Sequence, residues 1–171
     1  YLNEAKETAQ KTWNLFYDKS NKILQKNLIE KNDLFVPPSD VNDSNVPNGN
    51  SIFLLNCKKL EVISGEDKWQ HMYQELKKSF HSFLNLQSTQ MVSYIKNLDV
   101  CEELQTFTFF GDIKKNIDLH KYVKKNYLKS STLIYKEDTK ENYLVVCKNQ
   151  TCSNKIKTLE ELEAVVKNYA I

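Results

Sequence analysis

The sequence predicts an α+β fold in two parts: antiparallel α-hairpins over residues 1–103, then a small α/β unit over residues 104–171. Three observations predict it. Apolar residues recur at three- and four-residue steps through most of the first hundred positions, which is the spacing of one helical face. At about Leu104 the pattern changes to short β-branched and aromatic runs. The breaks between helical stretches, at Gly65 and at Leu86-Gln87-Ser88, are short enough that consecutive helices should fold back as hairpins.

Taken in order, residues 2–17 read as an amphipathic helix with Leu2, Ala5, Ala9, Trp13, Phe16 and Tyr17 on one face. Asp18 to Lys22 is a turn cluster. Ile23 to Leu28 suits either a continued helix or a short extended piece. Phe35-Val36 is extended because Pro37-Pro38 follows. A polar loop then runs to Asn48-Gly49, with Asn50 or Ser51 as the helix N-cap. The next helix spans about Ser51 to Ser64, with Ile52, Leu55, Leu60 and Ile63 as its periodic face, and stops at Gly65. Trp69, Met72, Tyr73, Leu76, Phe80, Phe83 and Leu84 form the strongest helical stripe. Ser88 or Thr89 caps a further helix with Met91, Tyr94, Ile95, Leu98 and Cys101 inward.

Gln105 to Gly111 reads as a strand, Asp118 as the cap of a helix running to about Leu128, and Ser131 to Tyr135 and Tyr143 to Cys147 as strands. The first two strands are linked by a helix and should pair in parallel. The last two are separated by a charged turn and should pair antiparallel. Thr158-Leu159-Glu160-Glu161 is a capping box, followed by a helix that buries Leu159, Leu162, Val165, Val166 and Tyr169.

The 171 residues are enough for one ordinary domain or two small ones. Apolar residues make up 40% and charged residues 27%, a globular rather than disordered balance. The net charge of +2 is too small to argue for nucleic acid. All 24 basic residues are Lys, so no bidentate Arg clamp on phosphate or carboxylate is available. Apolar runs are too short to span a membrane, and no signal-peptide pattern is visible. Tyr1 stands inside a helical pattern with no Met start, so the chain reads as a fragment or a processed product. The location expected is intracellular, in cytoplasm or mitochondrion.

The stretch from Asp40 to Ser51 carries two carboxylates three residues apart and the sharpest backbone punctuation of the helical part. Asp40 and Asp43 have the chemistry to orient sugar hydroxyls or to act as an acid/base pair, and equally to cap turns and helices. Asn48, Gly49, Asn50 and Ser51 suit a tight turn with an N-cap, or backbone N–H groups offered to an anion. The loop is the ligand-binding candidate of this half: Asp40, Asp43, Asn48, Gly49, Asn50 and Ser51. No catalytic residue is assigned, and no metal or cofactor is called for.

Cys57 and Cys101 sit among apolar residues and read as core thiols. Cys147 and Cys152 have C-x4-C spacing, which suits a disulfide, a thiol pair bracketing a turn, or half of a metal site. Two structural thiols in a reducing compartment are the favoured reading. His71, His81 and His120 share no ligand spacing, and the aromatic stripe reads as core rather than as a sugar platform.

Two segments resemble a known family. Asp40-Val41-Asn42-Asp43 through Pro47-Asn48-Gly49-Asn50-Ser51, ahead of an apolar helix, is similar to a D-x-x-D…P-S-G-N-S segment. Val146-Cys147-Lys148-Asn149-Gln150-Thr151-Cys152, then Lys157-Thr158-Leu159-Glu160-Glu161-Leu162, is similar to a V-C-x-N-x-T-C…T-D-x-E-E-L ending. Both resemble the family typified by spermatogenesis-associated protein 20 and its bacterial relatives. Asn48 replaces a usual Ser, Gln150 a common aromatic, and Asn154 stands near a usual Pro.

The resemblance implies that residues 1–103 are part of an (α/α)6 six-hairpin toroid. It further implies that a thioredoxin-like domain and the first hairpins lie in the remainder of the same protein. Such toroids resemble sugar epimerases and glycosidases, so a sugar-like ligand is implied by fold analogy alone. The fragment by itself is not expected to be active. The rival expectation is a structural or interaction module, docked on the missing half or on other subunits of an assembly. A metal or redox module built on Cys147 and Cys152 is the third. Neither nucleic acid nor a membrane is expected as a partner.

Overall fold

The computed structural model describes residues 1–28, 41–127, 131–137, 139–148 and 151–169. It is mixed α+β and divides into two compact units, Tyr1–Cys101 and Glu102–Ile171.

In the first unit, α1 (Leu2–Phe16) turns Ala9, Trp13 and Phe16 into the core. The helix ends at Tyr17, whose backbone is extended. A two-stranded hairpin follows, β1 (Tyr17–Asp18) against β2 (Ile23–Leu24). Asp18 builds its turn: the carboxylate accepts from the Ser20 N–H at 2.8 Å and from the side-chain amides of Asn21 at 2.6 Å and Gln25 at 3.0 Å. Lys22 takes a left-handed φ of 57° inside it. The expected extended segment at Phe35-Val36 before Pro37-Pro38, like Asp40, lies outside the described residues.

Helix α2 (Gly49–Ser64) is capped at its N-terminus by Asn48, not by the expected Asn50 or Ser51, and at its C-terminus by Gly65. Gly65 has φ 68° and donates its N–H to the Glu61 carbonyl, the left-handed stop that a residue without Cβ makes at least cost. After Gly65 and Glu66, α3 (Asp67–Gln87) packs along α2. Trp69, Met72, Tyr73, Leu76 and Phe80 of the aromatic stripe are buried, with Phe83 and Leu84 packed beside them. A 3-10 turn at Ser88–Gln90 leads to α4 (Val92–Glu102), where the Tyr94 ring packs against Phe80 in a tilted arrangement, centroids 4.9 Å apart.

Two inward assignments are corrected. Ile52 is 41% exposed and Ile95 44%, while Ser51 and Asn97 are buried in their place. The buried positions are instead taken up by the polar tie between α2 and α4 described below, in which the Asn97 side chain donates to the Ser51 carbonyl. Periodicity finds an apolar face but cannot foresee that a hydrogen-bond pair will take part of it.

The second unit is a four-stranded sheet under two helices. Its elements are β3 (Gln105–Phe110), α5 (Ile117–Tyr127), β4 (Ser131–Lys136), β5 (Tyr143–Lys148), β6 (Thr151–Cys152) and α6 (Leu159–Tyr169). The strand order is β4-β3-β5-β6. β3 pairs with β4 in parallel, Phe107 beside Leu133, across the α5 connection. β5 was expected beside β4; it lies instead on the far side of β3, antiparallel, with Phe107 beside Val146. β3 is buried along its middle, whereas Tyr135 and Lys136 of β4 are exposed. The strand with the most apolar surface therefore gains partners on both edges, and β4 becomes an edge.

Phe107, Phe109, Leu144 and Val146 share one sheet face. They pack with Leu119 and Val123 of α5 and Leu162 and Val166 of α6. Asp118 lies within the first turn of α5 rather than before it. The capping box forms as the spacing predicts: Thr158 Oγ1 accepts from the Glu161 N–H, and Glu161 accepts from the N–H of Thr158, both at 3.2 Å. Leu159, expected inward, is 37% exposed because it sits beside the cap at the start of α6.

Cys147 and Cys152 face each other across β5 and β6 and are joined as a disulfide, not kept as two thiols. The antiparallel register brings their Cα atoms together, which sequence spacing alone leaves open.

Candidate functional site

The described part of the candidate loop, residues 41–51, folds onto the N-termini of two helices. Asp40 lies outside the described residues, so the expected carboxylate pair is represented by Asp43 alone.

The Asp43 carboxylate sits at the start of α4. One oxygen accepts from the Ser93 N–H at 2.6 Å; the other accepts from the Asn48 N–H at 2.9 Å and from the Ser93 hydroxyl. The Asp43 N–H donates to the Gln90 carbonyl at 2.6 Å. Asp43 thereby caps α4 from outside that helix, where a negative charge meets the positive end of the helix dipole. Partial burial pushes its carboxyl up. The hydrogen bonds from Ser93, Asn48 and the Val92 N–H outweigh that and hold it below the ordinary carboxylate range.

Asn48 caps α2. Its side-chain oxygen accepts from the N–H groups of Asn50 at 2.9 Å and Ser51 at 3.4 Å, and its amide donates to the Asn42 carbonyl at 3.1 Å. The Ser51 hydroxyl lies 2.7 Å from the Asn48 carbonyl and 2.7 Å from the Ser93 hydroxyl. With Asp43 ionised, the two hydroxyl protons have three contacts to serve. The carboxylate is the strongest acceptor and takes the Ser93 proton, so Ser51 shares its own between its two neighbours. Asn97 closes the ring by donating to the Ser51 carbonyl at 3.1 Å.

Asn50 faces the other way. Its side chain accepts from the Leu24 N–H at 2.7 Å and donates to the Leu24 carbonyl at 2.9 Å, imitating a neighbouring strand along β2. Gly49 is exposed with open space where a Cβ would stand. Asn48, Asn50 and Ser51 are all more than nine-tenths buried. The first-turn N–H groups of Asn50, Ser51 and Ile52 already have Asn48 oxygens as acceptors, so an anion would have to displace the cap to use them.

Set against known protein families and curated proteins, the chain matches no family model and no curated protein.

Ser93 and Asn97 are the residues that sequence reasoning missed. Their four-residue spacing puts both on one face of α4, which was the available signal. The histidines fall elsewhere: His71 and His81 are exposed on α3, and His120 Nε2 lies 2.8 Å from the Tyr135 hydroxyl. Burial, and then the charge of Lys124, holds the His120 imidazole below its ordinary value. Among the described residues no group of three His, Cys, Asp or Glu side chains is placed to hold a metal ion, and no helix is long and apolar enough to cross a membrane.

Among the described residues, a concavity lies between α1 and α2. It measures about 600 Å³ and is lined by Leu2, Ala5, Ala9, Phe53, Leu60 and Ile63 among others. None of the described candidate loop residues, 41–51, lines it.

Proposed function

We propose that this chain is a structural module of a larger assembly. In this reading its helices complete a six-hairpin toroid begun by the remainder of the same polypeptide, as the family resemblance implies, and the small α/β unit is the appended ending. The observation that carries the proposal is where the polar groups of Asp43, Asn48 and Ser51 go. They are bonded to one another, to Ser93 and to Asn97, and fasten the start of α2 to the start of α4. A loop that binds sugars needs acceptors aimed at a cavity, and these are aimed at helix termini.

The groove between α1 and α2 supports the same reading. Its lining is largely apolar, with Leu2 exposed at its rim, as suits a face that packs against further helices. A thioredoxin-like domain and the preceding hairpins are the proposed occupants of the rest of the polypeptide.

The test is a calorimetric titration of the full-length polypeptide and its Asp43→Asn variant with mono- and oligosaccharides, beside co-expression of residues 1–171 with the preceding region as separate chains. The expected result is co-purification of the two pieces and no sugar heat that depends on Asp43. Sugar binding abolished by Asp43→Asn in a folded protein would overturn the proposal in favour of a ligand loop.

A further inference from the structure

We infer that the Cys147–Cys152 disulfide is a thiol–disulfide exchange site, open to dithiols from solvent and able to cycle without unfolding the α/β unit. Three observations carry this. The two cysteines are directly paired residues of β5 and β6, and Cys152 is exposed while Cys147 is half-buried. A sulfur on that side is reachable by an attacking thiolate, and access is the first requirement of exchange.

The second observation is that the chain beyond Cys152 is held without the disulfide. The Ser153 N–H donates to the Val146 carbonyl at 2.8 Å, and the Ser153 hydroxyl accepts from the Val146 N–H at 3.1 Å. Ile156 and Leu144 exchange both backbone bonds at 2.9 Å, and both side chains are buried. Opening the S–S bond therefore leaves the two sulfurs near each other and ready to close again.

The third is the contrast with the other two cysteines. Cys57 and Cys101 are buried in the helical unit, and burial, with the neighbouring Cys101, pushes the Cys57 thiol up to about 12. The molecule keeps one pair accessible and one pair shielded.

The exchange balances with a dithiol as reductant. Its thiolate attacks Cys152 Sγ, the S–S bond breaks, and the electron pair leaves on Cys147 Sγ, which takes a proton. The second thiolate of the reagent then attacks its own sulfur in the mixed disulfide. That forms the reagent's internal disulfide and releases Cys152, which is protonated in turn. Two electrons and two protons pass to the pair.

The experiment is thiol trapping on the whole folded chain, with adducts located by mass spectrometry. Protein treated with oxidised glutathione should give no rapid adduct. Dithiothreitol under native conditions should free two thiols that give rapid adducts, on Cys147 and Cys152, with the far-ultraviolet circular dichroism unchanged, and re-oxidation with oxidised glutathione before trapping should abolish both adducts. Cys57, buried and with its thiol pushed up, should react far more slowly than either. The Cys152→Ser variant should show a rapid adduct on Cys147 without any reductant. Rapid adducts on both cysteines after oxidation would overturn the inference, as would a disulfide that yields to dithiothreitol only in denaturant.

Discussion

Ser93 holds Asp43 twice, through its backbone N–H at 2.6 Å and through its hydroxyl. The two residues are fifty positions apart, so this one contact joins the loop before α2 to the start of α4. Removing the carboxylate deletes the cap of α4, takes the acceptor from the Ser93 N–H, and leaves the Asn48 N–H with the Ser93 hydroxyl at 3.3 Å. Asp43→Ala should lower stability by about 2–3 kcal/mol, read as a lower urea midpoint with an unchanged slope.

The same carboxylate predicts a pH dependence with a definite sign. The folded state holds Asp43 below its ordinary range, so the unfolded chain binds its proton more readily. Its contribution is present above the unfolded value, about 3.9, and is lost as pH falls through the lower folded value. Urea midpoints of the wild type and Asp43→Asn should differ most near neutrality and converge in strong acid. A gap that stays constant from pH 7 to acid would refute the electrostatic part of the tie.

Asn50 gives a second, independent prediction. Its amide satisfies both backbone groups of Leu24, which is buried. Asn50→Ala should cost about 2 kcal/mol or more, because a buried donor and a buried acceptor both lose their partner. Asn50→Asp should be damaging too, since a carboxylate cannot donate to the Leu24 carbonyl. Chemical denaturation of the two variants checks the order.

Gly111 tests the turn that follows β3. Its φ is 80°, and a Cβ there would stand 2.5 Å from Asn142 Oδ1 and 2.6 Å from the Glu141 carbonyl. Gly111→Ala should destabilise the α/β unit by about 1–3 kcal/mol, through left-handed strain and displacement of the Asp112 N–H bond to Asn142. A thermal melt unaffected by the substitution would contradict it.

Much of the architecture was legible in the sequence because it rests on local rules. The stripe from Trp69 to Phe80, the Gly65 stop, the Thr158–Glu161 box and the change to strands near Leu104 each follow from spacing and residue type. Pairings between distant segments were not legible. Nothing local says that β5 prefers the free edge of β3 to its neighbour β4, or that Ser51 and Asn97 displace Ile52 and Ile95 from the inner face. The loop chemistry was legible in kind but not in purpose. Asp, Asn and Ser in that order suit a sugar or a helix terminus equally well, and only the position of Ser93 distinguishes them.

The central claim is that the Asp43–Ser93 contact is a structural tie, and a double-mutant cycle measures it most directly. Urea unfolding of the wild type, Asp43→Ala, Ser93→Ala and the double variant should give a coupling energy on the order of 1–3 kcal/mol. Additive or near-neutral single substitutions, with no coupling, would contradict the account and return Asp43 to the candidates for ligand binding.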